Sequence, residues 1–122
     1  MRGIAVAAAS GIATLVLVGA AFAMTPVFLK VTPTAVYRGH VVTIRGNAGS
    51  CSVGDAVTII SRAFVHTHDF AGVPAVFAKV KSGGAFSTTT RIPARRRAGR
   101  YAVSARCGGG NLGVFVRLTV RA

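Results

Sequence analysis

Carboxylate side chains are almost absent from this sequence. Its 122 residues contain no Glu, and the two acidic residues, Asp55 and Asp69, stand against 15 Lys and Arg. Asp55 follows Gly54 in a turn-forming pair, so no pair of carboxylates is available for acid–base catalysis of the glycosidase kind. The chain also lacks a G-x-S-x-G nucleophile elbow. These absences predict that the protein is not an enzyme, and no cofactor is expected.

Strong helix formers are scarce as well. Residues 24–122 contain no Glu, no Gln and three Leu, but 15 Val, 4 Ile and 10 Thr. Because β-branched residues suit a pleated, half-buried surface, an all-β domain is expected. Alternation of apolar and polar residues predicts seven strands, around residues 27–31, 41–45, 57–61, 75–80, 86–92, 101–107 and 112–120. Seven short strands separated by Gly and Pro turns predict an immunoglobulin-like β-sandwich.

The first 23 residues differ in composition from the rest. Arg2 precedes an apolar run from Ile4 to Val18, and Ala21-Phe22-Ala23 matches the small-x-small pattern that signal peptidase cuts. We therefore expect a signal peptide over 1–23 and a secreted immunoglobulin-like domain over 24–122. The alternative is an uncleaved anchor, because the apolar run and the cleavage box together are about long enough to span a bilayer. Association with a membrane is expected only in that case.

Cys51 and Cys107 are the two cysteines of the chain. An even number of cysteines in a small exported protein indicates a disulfide, and their spacing does not match the C-x-x-C of a redox or zinc site. In an immunoglobulin-like sandwich the loops after the second and sixth strands lie at the same end, which would bring the two residues together. We predict a Cys51–Cys107 disulfide. It would close a loop of about 57 residues and stabilise the domain by about 4 kcal/mol.

Several turn and core motifs resemble those of bacterial immunoglobulin-like domains. They are Val31-Thr32-Pro33-Thr34 and Gly39 to Gly46 in the first half, and Gly84 to Ser87, Ala98 to Val103 and Cys107 to Gly110 in the second. Together they resemble small exported proteins of high-GC Gram-positive bacteria whose role is mostly unassigned. The opening is also similar to the apoproteins of the neocarzinostatin-type chromoproteins. The two short-range disulfides of that family are missing here, so its ligand binding is not implied.

The sequence is strongly basic, with one dense cluster. Residues 24–122 contain 14 basic and 2 acidic residues, a formal charge of +12, and the cluster comprises Arg91, Arg95, Arg96, Arg97 and Arg100. Such a charge attracts polyanions over a Debye length of about 10 Å. Specific nucleic-acid binding is not expected, because Tyr101 is the only aromatic residue close to the cluster in sequence. The alternative is a solvated loop that keeps the protein soluble.

A second candidate site lies in the longest predicted connection, residues 62–74. His66 and His68 would face the same way on an extended segment, as two ligands of a metal ion do. A third ligand would have to be His40 or Asp69, and nothing in the sequence brings His40 near the other two, which leaves Asp69. The three residues are therefore candidates only, and the simpler interpretation is that they belong to a surface loop.

Phenylalanines form a third feature of the chain. Phe77 and Phe115 fall on the opposite face of their strands from the aliphatic residues, and Phe64 and Phe70 lie in the long connection. They either form an exposed apolar patch or pack beneath the loop.

These observations favour a secreted, non-enzymatic immunoglobulin-like module for binding or adhesion at the cell envelope. The expected partners are anionic cell-wall polymers or another envelope protein. One alternative is a small-ligand or metal-binding protein that uses the 62–74 loop. Another is a purely structural domain.

Overall fold

The computed structural model describes residues 26–108 and 110–122. These residues form an all-β domain, as predicted, and none of them belongs to a helix long and apolar enough to cross a membrane. The predicted signal peptide, residues 1–23, lies outside them. The strands are β1 (Phe28–Thr32), β2 (Ala35–Tyr37), β3 (Val41–Asn47), β4 (Ala56–Ile60), β5 (His68–Phe70), β6 (Val73–Lys79), β7 (Ala85–Arg91), β8 (Gly99–Cys107) and β9 (Gly110–Arg121), with a 3₁₀ turn at Ser82–Gly84.

The strands form two sheets. One contains three antiparallel strands in the order β1-β3-β7, and the other contains six in the order β2-β9-β8-β4-β6-β5. In the larger sheet β2 pairs in parallel with β9, and the remaining pairs are antiparallel. Both sheets contribute side chains to one hydrophobic core.

Alternation along each strand decides which side chains enter that core. In β3, Val42 and Ile44 are completely buried while the residues between and beside them are exposed. In β4, on the opposite sheet, Val57 and Ile59 are completely buried, and Thr58 between them is half-buried. Each such aliphatic side chain contributes about 1.5–3 kcal/mol when fully buried. The β-branched residues that indicate strands in the sequence thus also hold the two sheets together.

Gly46 is a position in the core where no side chain larger than hydrogen fits without a shift of its neighbours. A Cβ atom at this position of β3 would overlap the carbonyl oxygen of Phe28 and come within 2.6 Å of Cζ of Phe86. The missing side chain therefore leaves the space in which the buried ring of Phe86 packs.

All seven predicted strands are present, and two further ones are found among the described residues. The sequence does not predict β2 or β5, because three residues are too few to show alternation. The connection over 62–74 is consequently not a single loop, since it contains β5 and the start of β6. The hairpin between these strands turns through Ala71 and Gly72, whose φ angles are 52° and 85°. Ala-Gly is not one of the pairs that usually mark such a turn.

The directions of the strands give the domain two ends. At one end the turn at 38–40, the segment 61–67, the loop 92–98 and the end of β9 meet, with main-chain hydrogen bonds from Arg38 to Arg121 (2.9 Å) and from Val65 to Arg91 (3.0 Å). At the other end lie the β3–β4 loop, the 3₁₀ turn and the β8–β9 turn. The second is called the disulfide end below, because Cys51 and Cys107 lie there.

Candidate functional site

Arginine is concentrated at the first of these ends. Eight of the 14 basic residues described by the structure belong to it, and all eight are arginines: Arg38, Arg62, Arg91, Arg95, Arg96, Arg97, Arg100 and Arg121. This set is called the arginine end. The three lysines lie elsewhere, Lys30 within β1 and Lys79 and Lys81 toward the disulfide end. Guanidinium groups bind phosphate and carboxylate groups through two parallel hydrogen bonds, which an ammonium group does not do.

The acidic side chains do little to neutralise this charge. Asp69, on β5, is already engaged: its Oδ1 lies 2.6 Å from Nε2 of His66, and its Oδ2 accepts a hydrogen bond from Gly72 N at 3.3 Å. Asp55 lies in the turn before β4, at the disulfide end. Within the described ranges, neither carboxylate forms an ion pair with an arginine.

In addition to the main-chain bonds of Ile92, three hydrogen bonds made by Arg96 and Tyr101 hold the loop over 92–98 in place. Arg96 N donates to Pro93 O at 3.1 Å within a turn, and Nη2 of Arg96 donates to Phe64 O at 2.9 Å. On the next strand, the hydroxyl of Tyr101 donates to Arg97 O at 2.5 Å. The loop therefore presents its other charged side chains from a fixed backbone, which lowers the entropy lost on binding a ligand.

The five arginines predicted from the sequence have different positions in this arrangement. Arg95, Arg97 and Arg100 are exposed, and their side chains form no hydrogen bond or ion pair with any other described residue. The side chains of Arg91 and Arg96 already donate to backbone carbonyls, and Arg96 is half-buried. Arg96 is thus an anchor of the loop and is not positioned as a direct ligand contact, which corrects the role expected from the sequence.

Sequence reasoning misses Arg38, Arg62 and Arg121. They come from separate parts of the chain, and only the topology brings them beside the 91–100 stretch. The sequence does contain a pattern that points to this grouping. The strands β2, β4, β7 and β9 all run toward this end, and each of them ends at an arginine or within two residues of one. This pattern becomes informative only when the directions of the strands are known.

A groove opens beside two residues of the arginine end. It has a volume of about 430 Å³ and is lined by Arg62 and Arg100 together with Ile60, Ala102 and Ser104 and three further residues. The outward-facing side chains of β4 and β8 form its floor. This groove therefore connects the arginine end with the outer face of the larger sheet.

The three candidate metal ligands have separate local partners. His66 is bound to Asp69, whereas the ring of His68 packs against Phe77 on β6, with centroids 4.6 Å apart and an interplanar angle of 39°. Their ligand atoms do not form one of the compact sets found among the described residues. The structure therefore supports no metal centre built from these three side chains.

Cys51 and Cys107 form a disulfide, which confirms the predicted pairing. Their Cα atoms are 6.2 Å apart and their sequence separation is 56. Because Cys51 lies in the β3–β4 loop and Cys107 ends β8, the bridge joins the two sheets at the disulfide end. Asp55 lies beside the two sulfur atoms, but metal ions bind the thiolate and not the disulfide. A disulfide is compatible with an extracellular protein.

The phenylalanines divide between the two alternatives left open by the sequence. Phe64, which belongs to the segment 61–67, is completely buried and is part of the core. Phe70, Phe77 and Phe115 are exposed on the larger sheet.

Comparisons with known proteins give matches among solved structures but none among sequences. No protein-family model and no curated protein matches the sequence. Among solved structures, the chain is similar to Pseudomonas fluorescens alkylpurine DNA glycosylase AlkC bound to DNA containing an abasic site analog, with a TM-score of 0.48 and 19% sequence identity. The similarity covers 82% of this chain and 32% of the glycosylase chain. This chain thus spans about a third of the length of that protein.

This comparison contradicts the prediction that the protein is not an enzyme, because one of the solved structures to which the chain is similar is an enzyme. The prediction rested on the absence of a carboxylate pair and of a nucleophile elbow. Their absence excludes only the types of catalytic site that need them. The prediction is therefore withdrawn. At a TM-score of 0.48 and 19% identity, the likeness transfers neither an activity nor a binding site to this chain.

Proposed function

We propose that the protein is a secreted immunoglobulin-like module that binds anionic polymers of the cell envelope through its arginine end. The single observation that carries the proposal is the grouping of eight arginines, and of no lysine, around one end of the domain. Arginine is the side chain suited to bidentate contacts with phosphate and carboxylate groups. Cell-wall polymers carry such groups at regular intervals, so several contacts form along one chain.

The immunoglobulin-like assignment is supported by topology. The seven longer strands divide between an antiparallel group, β1-β3-β7, and a group ordered β9-β8-β4-β6, and two antiparallel sheets around one core are typical of that architecture. The disulfide joins the end of β8 to the loop after β3, so it links the two sheets as the conserved bridge of antibody domains does.

The geometry of the loop over 92–98 also favours binding. Arg95 and Arg97 are exposed on a backbone that Arg96 and Tyr101 fix by side-chain hydrogen bonds. A merely solubilising loop needs neither anchor. The fixed backbone is the feature that distinguishes a binding surface from the solvated loop considered above.

The test compares two variants that lose the same charge at different places. The site variant carries Arg95→Ser, Arg97→Ser and Arg100→Ser, and the control carries Lys30→Ser, Arg45→Ser and Lys81→Ser. Both are applied to columns of heparin and of immobilised polyphosphate and eluted with a salt gradient. We expect the site variant to elute at clearly lower salt than the control, with a slope of log K against log salt that is smaller by about 0.7–0.9 for each lost contact.

Equal elution of the two variants would contradict the proposal, because it would assign retention to diffuse net charge. An unchanged site variant would contradict it as well. Both proteins must first show the far-UV spectrum and melting temperature of the wild type, so that a change in elution reports binding and not unfolding.

A further inference from the structure

Three exposed phenylalanines share the outer face of the larger sheet. Phe70, Phe77 and Phe115 are 38%, 46% and 62% exposed, respectively. They belong to three different strands, β5, β6 and β9. None of them belongs to the basic stretch 91–100, yet two of the three rings lie beside an arginine.

Each ring has a cationic or aromatic neighbour. Cζ of Arg106 lies 4.9 Å from the ring centroid of Phe70, and Cζ of Arg117 lies 5.9 Å from that of Phe115. The rings therefore stand beside positive charges at cation–π distance. Phe77 is covered on one side by the imidazole of His68.

Small or half-buried residues lie between the phenylalanines on this face. One row of paired residues crosses five strands from Phe115 through Ser104, Ile60 and Ala75 to His68. The residues in the middle of this row are small or half-buried. Two of them, Ser104 and Ile60, line the groove of about 430 Å³. Neighbouring strands are about 4.8 Å apart, so β6 and β9 lie about 14 Å from each other.

This face is continuous with the arginine end. Arg100 and Arg62 line the groove and belong to that end. A polymer whose charged groups contact those arginines can therefore pass onto the outer face, where it meets the exposed rings. The polymer that combines regular negative charges with flat apolar groups is a single-stranded nucleic acid.

We infer that the outer face of the larger sheet binds single-stranded nucleic acid, with bases stacked on Phe77 and Phe115 and phosphates contacted by Arg62, Arg100 and Arg117. The inference rests on the proposed function for its phosphate contacts at the arginine end, and it adds single-stranded nucleic acid to the polyanions that the domain binds. Binding of this kind requires a basic groove with aromatic platforms and tolerates many sequences. The aromatic groups that are missing around the 91–100 stretch are present on this face, where Phe70 and Phe115 lie beside arginines.

A lipid surface is the competing partner for exposed phenylalanines and arginines. The strand positions of these rings favour a polymer over a bilayer, because the rings lie along a sheet face and beside a groove. Rings that insert into a bilayer need a protruding position. Anionic vesicles are therefore included in the test as an outcome that would contradict the inference.

The experiment measures fluorescence anisotropy of two labelled oligomers of equal length and charge. One is a 15-residue oligothymidylate, and the other has the same sugar-phosphate backbone without bases. We expect the wild type to bind the oligothymidylate at least about tenfold more tightly, since one stacked base contributes about that much. The double variant Phe77→Leu, Phe115→Leu keeps the apolar area and should lose at least about fivefold of that preference. Phe28→Leu, on the other sheet, should leave it unchanged.

Equal affinities of the wild type for the two oligomers would overturn the inference while leaving the proposed function in place. Tighter binding to vesicles of anionic phospholipid than to either oligomer, weakened by the same double variant, would overturn it in favour of a membrane surface. If neither oligomer nor heparin is bound, the proposed function fails together with the inference.

Discussion

The disulfide offers the largest single perturbation of stability in this domain. Replacing both Cys51 and Cys107 by Ala releases a loop whose ends are separated by 56 residues. The chain-entropy relation assigns such a loop about 4 kcal/mol of stabilisation, acting mainly through the unfolded state. A domain of this size has a total free energy of unfolding of about 5–15 kcal/mol. The double variant should therefore be folded at room temperature but much closer to its unfolding threshold.

Urea unfolding followed by far-UV circular dichroism measures this effect. With an m value of about 2 kcal/mol/M, the midpoint should fall by about 2 M, and the wild type in a thiol reductant should fall by a similar amount. A midpoint within about 0.5 M of the oxidised wild type would refute the reasoning. That result would mean that the unfolded chain is already compact enough to make the closed loop irrelevant.

Three further changes test the packing, a turn and the metal candidates. Gly46→Ala places a Cβ against the ring of Phe86, so it should destabilise the domain by about 1–3 kcal/mol in thermal melts; an unchanged melting temperature would contradict this. Ala71→Gly relieves a φ of 52° in the β5–β6 turn and should raise the melting temperature by about 4–8 °C, corresponding to about 1 kcal/mol, whereas a lower value would show that the turn is not strained. Zinc should give a flat calorimetric titration at pH 7.5, because Asp69 is already bound to His66; micromolar binding that Asp69→Asn abolishes would disprove that interpretation.

The strands were accessible from the sequence wherever they are long enough to alternate. In β9 the inward-facing residues from Leu112 to Val120 follow a strict period of two, and the strand is observed from Gly110 to Arg121. In β2 no such pattern exists, because three residues are held by parallel pairing with β9 and by little else. Short edge strands are defined by their partners, and a single sequence does not specify those partners.

The candidate site shows the same division between local and long-range information. The stretch from Arg91 to Arg100 is local, so its charge is visible in the sequence. The anchoring of Arg96 to Phe64 O depends on a contact across 32 positions, and the approach of Arg38 to Arg121 depends on the register of β2 and β9. These contacts follow from tertiary structure, and they convert one predicted contact residue into an anchor.

The most direct test of the account locates the bound polyanion on the protein. In a two-dimensional NMR titration of ¹⁵N-labelled protein with polyphosphate, we predict that backbone amide shifts concentrate in residues 37–40, 61–67 and 92–100, with little change around Lys30 and Arg45 on the smaller sheet. These three segments carry six of the eight residues of the arginine end. Shifts spread equally over both sheets, or centred on the lysines, would contradict the central claim that the arginine end is the binding surface.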